Sequence, residues 1–253
     1  MTRILGTWNQ VASAEVVDMI GLAGFAFAII DVEHGYFGLE TAENLIRACD
    51  AARIEPWLRV PSLDPVLIGK ALDCGARRIV VPGVSSGAQA AAAVAAGRYG
   101  PEGTRGACPC VRAGGHYIRD WRAHVARAHA ETGIVLLVES QAGLDDFDAI
   151  VATPGLHGVM LGPFDLSVSM GHEGDYRQPA VQDALRSMLA RARARGIEVT
   201  IPVFAPELDA AVAQLRAWEA LGVERFVVGT DKILIVDQFT RYASALSSSG
   251  AVA

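Results

Sequence analysis

Residues 134–167 read IVLLVESQAGLDDFDAIVATPGLHGVMLGPFDLS. An apolar run, IVLLVE (134–139), leads into a segment of helical period, LDDFDAIVAT (144–153), and then into a second apolar run, GVMLG (158–162). Short, continuous apolar runs rich in Val, Leu and Ile suit strands buried on both faces, and a helix between two of them returns the chain so that they lie parallel. Each run leads to an acid: Glu139 closes the first, and Asp165 follows the second by three positions.

The same unit recurs on both sides. RILGTW (3–8), FAFAIID (25–31), PWLRV (56–60), RRIVVP (77–82), EVTIPVF (198–204) and RFVVGT (225–230) bring the strand candidates to eight. Helical segments at 13–24, 39–52, 64–75, 85–100, 179–196, 206–222 and 231–246 alternate with them. Several open on Ser, Asp or Pro and several end in Gly, the residues that start and stop helices. Eight strand–helix units in 253 residues predict an α/β fold of the (β/α)8 TIM-barrel type, one domain spanning 1–253. A doubly wound open sheet is the competing arrangement, but no GxGxxG follows a strand. The segment YGPEGTRGACPCVRAGGHY (99–117) interrupts the alternation as a long loop, followed by an extra helical stretch at 118–132; the tail SSSGAVA (247–253) is expected to fray.

Composition narrows the function. Hydrophobic residues make up 51% and charged residues 20%, enough to bury a large core, and the formal net charge is −6 with no run of Lys or Arg. That balance argues against nucleic acid and anionic membrane surfaces as partners. The longest apolar stretch, 20–30, falls well short of the roughly 20 residues that cross a bilayer. The N-terminus lacks the order of a signal peptide, so a cytoplasmic location is expected. Cys49, Cys74, Cys108 and Cys110 form no CxxC pair and read as reduced thiols.

Active sites of such barrels lie at the C-terminal ends of the strands. The second strand delivers Asp31, Glu33 and His34 there, the third Arg59, the fifth Glu139, and the loop after the sixth Asp165; Trp8, Asn9, Pro82, Phe204 and Asp231 are placed to shape a pocket. Singly, each has a structural reading: Arg59 as an ion-pair partner, His34 as a strand terminator, the two acids as solvated turn residues. Brought to one mouth, they would repel or desolvate one another without a ligand. Two carboxylates on adjacent strands suit a hard divalent cation, Mg²⁺ or Mn²⁺, with positions left for a substrate's oxygens. A 2-oxo acid would chelate it through carboxylate and keto oxygens, with Arg59 facing the developing oxyanion.

The motifs GTW (6–8), DVEHG (31–35), LRVPSLDP (58–65), ALDCGARRIVVPGV (71–84), YGPEGTRG (99–106), VES (138–140), GVMLGPFDLSVSMG (158–171) and VVGTD (227–231) together resemble the HpcH/HpaI family of class II pyruvate aldolases. The resemblance implies a metal-dependent barrel, assembled as a homo-oligomer and commonly a hexamer, that joins or splits pyruvate-like enolates and aldehydes. It implies Glu139 and Asp165 as metal ligands, with Co²⁺ or Zn²⁺ as alternatives to Mg²⁺ or Mn²⁺. Arg59 becomes the stabiliser of the keto oxygen and His34 the acid/base group, with Asp73 acting on His34 through a water and Asp31 beside it. The backbone at Gly162, Pro163 and Phe164, next to Asp165, would hold the substrate carboxylate, with Trp8 and Phe204 as pocket walls.

Leu137 stands where many members carry Gln, Phe164 where many carry a small residue, and Arg105 in GTRG is a shared feature. Contacts to the aldehyde are expected from loop 99–117 and from a neighbouring subunit. Three rival readings remain: a Schiff-base aldolase through Lys70 or Lys232, the same scaffold acting on acyl-CoA or oxaloacetate-type donors, and a non-catalytic metabolite-binding barrel.

Overall fold

A computed structural model describes residues 3–205 and 207–249 of the chain. Strands β1 (Ile4–Asn9), β2 (Phe27–Asp31), β3 (Glu55–Arg59), β4 (Arg78–Val81), β5 (Gly133–Val138), β6 (Gly158–Leu161), β7 (Glu198–Val203) and β8 (Arg225–Thr230) follow the eight expected runs to within two residues. Each pairs in parallel with the next and β8 pairs with β1, closing the barrel. Helices α1 (Ala14–Leu22), α2 (Leu39–Ala52), α3 (Pro65–Asp73) and α4 (Gly87–Gly97) cover the first half. Then come α5 (Trp121–Glu131), α6 (Gln141–Asp145), α7 (Phe147–Val151), α8 (Pro163–Ser169), α9 (Pro179–Ala194), α10 (Leu208–Ala220) and α11 (Asp231–Ser249). Among the described residues no helix is long and apolar enough to cross a membrane, and the four cysteines are unbridged.

Local chemistry sets the helix starts. Asp64 caps α3 by accepting from the N–H of Val66 at 2.7 Å, with Pro65 supplying the first helical φ, and Ser140 caps α6 through the Gly143 N–H. Three stretches differ from expectation. The helix expected at 144–153 is two short ones, α6 and α7, broken at Asp146, whose carboxylate turns away to accept from the Gly87 N–H at 2.7 Å and so ties the break to the start of α4. The GPFDLS segment forms helix α8 rather than a loop. Residues 247–249 continue α11 rather than fray; the rest of the expected tail, 250–253, lies outside the described residues, as does Pro206, expected to open the helix that is α10.

Successive strand side chains point to opposite faces, so every second residue enters the lumen. At the N-terminal end this gives a charged layer: Arg225 Nε donates to Glu198 at 2.6 Å, and Arg78 Nε to His157 Nε2 at 2.8 Å. The middle is apolar, with Phe27, Ile29, Trp57, Val80, Val135, Met160 and Val227 packed together and the Phe27 and Trp57 rings stacked at 4.6 Å. Gly6 faces the Phe27 ring, which occupies the space any Cβ there would need. Continuing the same parity upward from Ile29, Trp57, Leu137 and Met160 brings Asp31, Arg59, Glu139 and Gly162 to the C-terminal mouth. Trp57, fully buried at the centre of the lumen, should cost about 3–5 kcal/mol when truncated to Ala. Urea unfolding followed by circular dichroism checks this; an unchanged midpoint would mean the lumen is not packed as described.

Candidate active site

A cavity of about 440 Å³ opens at the C-terminal ends of the strands. Of the expected residues, Trp8, His34, Arg59, Leu137, Glu139, Gly162, Pro163, Phe164, Asp165 and Phe204 line it.

Asp31 and Arg59 are register partners across β2 and β3, at the last rung of that ladder. The guanidinium therefore meets the carboxylate side by side: Nε donates to Oδ1 at 2.8 Å and Nη2 to Oδ2 at 2.6 Å. Arg59 Nη1 also lies 3.0 Å from Glu33, and its plane covers the Trp8 ring at 4.2 Å. Asp31 is fully buried; its carboxylate accepts further bonds from Gln10 Nε2 at 2.8 Å and from the N–H groups of Glu33 and His34. Burial alone would raise the Asp31 carboxyl, but the Arg59 pair and these bonds outweigh it and hold it below the usual range. Glu33 is shifted the other way: burial dominates, and the Asp31 and Asp165 charges add to it against the pull of Arg59 and His34. Asp31 thus anchors Arg59 and the turn carrying His34.

Glu139 sits one residue past β5 and Asp165 in the first turn of α8, just after β6. The two strands are neighbours in the barrel, with Val138 opposite Leu161. Glu139 accepts from the Gly83 N–H at 2.9 Å. A Cβ at Gly162 would come within 2.7 Å of Glu139 Cβ and 2.9 Å of its Oε2, so the acid keeps its place because 162 has no side chain. Burial first, then the facing Asp165 charge, pushes the Glu139 carboxyl up to about 7. Among the described residues no cluster of three or more His, Cys, Asp and Glu has metal-binding geometry. Two oxygen donors with unrelieved mutual repulsion nonetheless fit a hard divalent cation, which keeps open positions for water or substrate when few side chains hold it.

His34 is exposed on the cavity wall, and its ring has no hydrogen-bond partner among the described residues. Asp73 is not brought to it within this chain. A helix after a parallel strand runs back down the barrel, so the last residue of α3 lies at the opposite end, where Asp73 accepts from Arg105 Nη2 at 2.7 Å. Arg105, whose guanidinium covers the Tyr99 ring, therefore ties loop 99–117 to α3. That loop does not line the mouth; Arg105 and Arg112 line a separate cavity of about 610 Å³ where the chain enters β4 and β5. Lys70 is exposed on α3, and Lys232 Nζ lies over the Tyr36 ring at 5.0 Å; neither lines the 440 Å³ cavity.

Sequence reasoning missed Gln10, Tyr176, Pro202, Thr230 and Ile233, which also line the cavity. Parity carried the signal for Pro202, two residues before Phe204, whereas nothing local marked Tyr176, which arrives on the connection between α8 and α9. Asp231, expected to shape the pocket, is instead buried as a clamp: it accepts from Asn9 Nδ2 at 2.8 Å and from the N–H groups of Gln10 and Val11 at 2.9 Å, joining the two ends of the barrel sheet.

Replacing Asp31 by Asn leaves the Arg59 charge buried with Glu33 as its remaining ion-pair partner among the described residues, and a loss of about 3 kcal/mol at neutral pH is expected for breaking such a pair. Because the folded-state carboxyl is held low, its stabilisation is complete above the ordinary value of 3.8 and is lost as pH falls toward the folded-state value. Urea midpoints of wild type and Asp31→Asn should therefore lie apart at pH 7 and draw together in acid; equal midpoints at pH 7 would remove the anchor role.

Residues 5–230 match the family model described as HpcH/HpaI aldolase/citrate lyase. A 5-keto-4-deoxy-D-glucarate aldolase of Salmonella paratyphi C (strain RKS4594) is 34% identical over 227 residues, 90% of this chain and 86% of the relative. The crystal structure of an HpcH/HpaI aldolase/citrate lyase family protein from Burkholderia cenocepacia J2315 superposes with a TM-score of 0.88 at 31% identity, over 97% of this chain and 95% of that one. The structure of the citrate synthase SbnG gives 0.89 at 26% identity, over 99% and 96%. A family model spanning nearly the whole barrel, and relatives alike along most of their length, place the chain in the HpcH/HpaI aldolase/citrate lyase family, metal-dependent enzymes that make or break carbon–carbon bonds.

Proposed function

We propose that the chain is a class II 2-oxo acid aldolase that uses pyruvate or a close analogue such as hydroxypyruvate as the nucleophile and an aldehyde as the electrophile. The observation that carries this reading is the convergence of two acids, Glu139 and Asp165, with Arg59 and His34 on one cavity. Glu139 and Asp165 are the residues that would hold a divalent cation, Mg²⁺ or Mn²⁺. When bound, the cation supplies Lewis acidity toward the keto oxygen of the 2-oxo acid.

The chain's own groups do the rest. The first-turn N–H groups of Phe164 and Asp165 have no carbonyl within α8 to bond, and they orient the substrate carboxylate. Arg59, immobilised by Asp31 and stacked on Trp8, faces the oxygen that gains negative charge. His34 takes the proton from the carbon next to the ketone, leaving an enolate. That carbon then forms the new bond to the aldehyde carbon, and the aldehyde oxygen receives the proton back from His34. Cleavage runs the same steps in reverse. The curated relative's name makes 5-keto-4-deoxy-D-glucarate a reference compound for the cleavage assay; once pyruvate is split off, its aldehyde half keeps a carboxylate, so its turnover also reports whether the site takes an anionic acceptor.

The reading extends to one domain, 1–253, working in the cytoplasm as a homo-oligomer, with a hexamer as the family-like state. Support for the oligomer is α11, where Val236, Phe239, Tyr242 and Leu246 are all more than half exposed.

The metal-loaded protein, incubated with pyruvate in deuterated water, should exchange the methyl protons, and Glu139→Gln should abolish both exchange and metal binding. Arg59→Ala should lower turnover roughly 10²-fold, as loss of one oxyanion partner does; near-wild-type turnover would remove Arg59 from the reaction. Since the metal-free Glu139 carboxyl titrates at about 7 and the cation needs it ionised, the affinity for Mn²⁺ should be flat above that pH. Below it, affinity should weaken about tenfold per unit, with a proton released on binding. Titration calorimetry in buffers of different ionisation enthalpy reads both effects.

A further inference from the structure

The cavity's lining residues are of two unlike kinds. His34, Arg59, Glu139 and Asp165 carry all the charge among its lining residues, and they face the reacting carbon and oxygens under the reading above. Phe164, Tyr176, Phe204 and Ile233 are apolar or aromatic members of the same lining. Phe164 stands one residue before Asp165 in the first turn of α8. Its ring lies against bare backbone at Gly174, where a Cβ would come within 2.7 Å of it, and Gly174 has a φ of +88° that favours glycine. Two residues on, the same segment delivers Tyr176. Phe164 is 53% exposed, a large aromatic surface held open at the mouth of the site.

Among the described residues of this chain, the charges nearby leave no free cation for a second anion. Arg59 is already engaged by Asp31 and Glu33. Lys232 lies over the Tyr36 ring, and Arg177 is paired with Asp175 at 3.1 Å; neither lines the cavity. An aldehyde bearing its own carboxylate would place that group against aromatic carbon with no cation to meet it, a costly burial for a charge. An uncharged tail would instead cover Phe164 and Phe204 and release the water held over them.

We propose that the acceptor taken by this site is an uncharged aldehyde with an apolar tail, aromatic or branched, seated against Phe164, Tyr176 and Phe204, and that Phe164 sets this choice. The inference rests on the aldolase reading of the site and adds the class of the second substrate. Phe164 acts on the aldehyde's tail, away from the bond being formed.

The test uses the metal-loaded full chain with pyruvate and four aldehydes: phenylacetaldehyde and isobutyraldehyde as apolar probes, glyoxylate and succinic semialdehyde as anionic ones. The expected kcat/KM favours the apolar probes by roughly tenfold or more. Phe164→Leu should keep that order. Phe164→Lys, at an exposed position, should reverse it by supplying the missing cation, chiefly through the KM for the aldehyde. Pyruvate deuterium exchange by the wild-type protein, run alongside, separates the two levels. No exchange overturns the donor reading and this inference with it. Exchange together with a preference for the anionic aldehydes overturns the acceptor class alone; loss of that preference in Lys232→Ala would then name the cation responsible. A Phe164→Lys enzyme with the wild-type order would remove Phe164 as the determinant.

Discussion

The bidentate pair between Asp31 and Arg59 is the constraint from which the mouth of the barrel is organised. It exists because the two residues are opposite one another at the last rung between β2 and β3, so a one-residue slip of that ladder would put the two side chains on opposite faces of the sheet. With the pair in place, the guanidinium is pinned flat on Trp8, the turn bearing His34 is drawn in by two backbone bonds to Asp31, and Gln10 is held from the first strand's side. Three strands of the rim thereby share one polar network. A buried ion pair of this kind adds little net stability over apolar packing, and its use here is to fix where a positive charge points.

The opposite side of the mouth works by imbalance. Glu139 and Asp165 repel one another, with the committed Arg59 as the cation acting on Glu139 among the described residues, and burial together with that repulsion lifts Glu139 to about 7. Asp31 is neutralised from within the chain, and the pair Glu139 and Asp165 is left in want of an external charge. The same rim thus separates a permanent cation, which cannot leave, from a place suited to an exchangeable one. An acidic chain with the formal net charge of −6 can keep such a site supplied from dilute cations without attracting polyanions.

Most of this was legible in order of residues, because barrels convert a period of two into layers. Once 25–31, 56–60, 134–139 and 158–162 are recognised as strands, parity alone takes Asp31, Arg59, Glu139 and Gly162 to one end of the lumen. The sequence was less informative where a single residue decides direction. Asp73 was assigned to His34 by family likeness, yet the end of α3 must lie at the far side of the barrel, and within the chain its partner is Arg105. The seven residues of α8 are too few for a helical period to show, although Pro163 and Asp165 are ordinary first-turn residues. Tyr176 reaches the cavity only through the path of a connecting segment, and no local pattern encodes such a path.

The clamp at Asp231 gives the molecule a particular history each time it is made. The strand that seals the sheet against β1 is the last to be synthesised, and the carboxylate that fastens Asn9, Gln10 and Val11 follows immediately after it. A nascent chain emerging from the ribosome therefore carries an unsealed sheet with two raw edges until β8 is out. Thr230 and Ile233, which line the cavity, arrive with it, so the cavity mouth and the topological closure are finished together rather than in sequence.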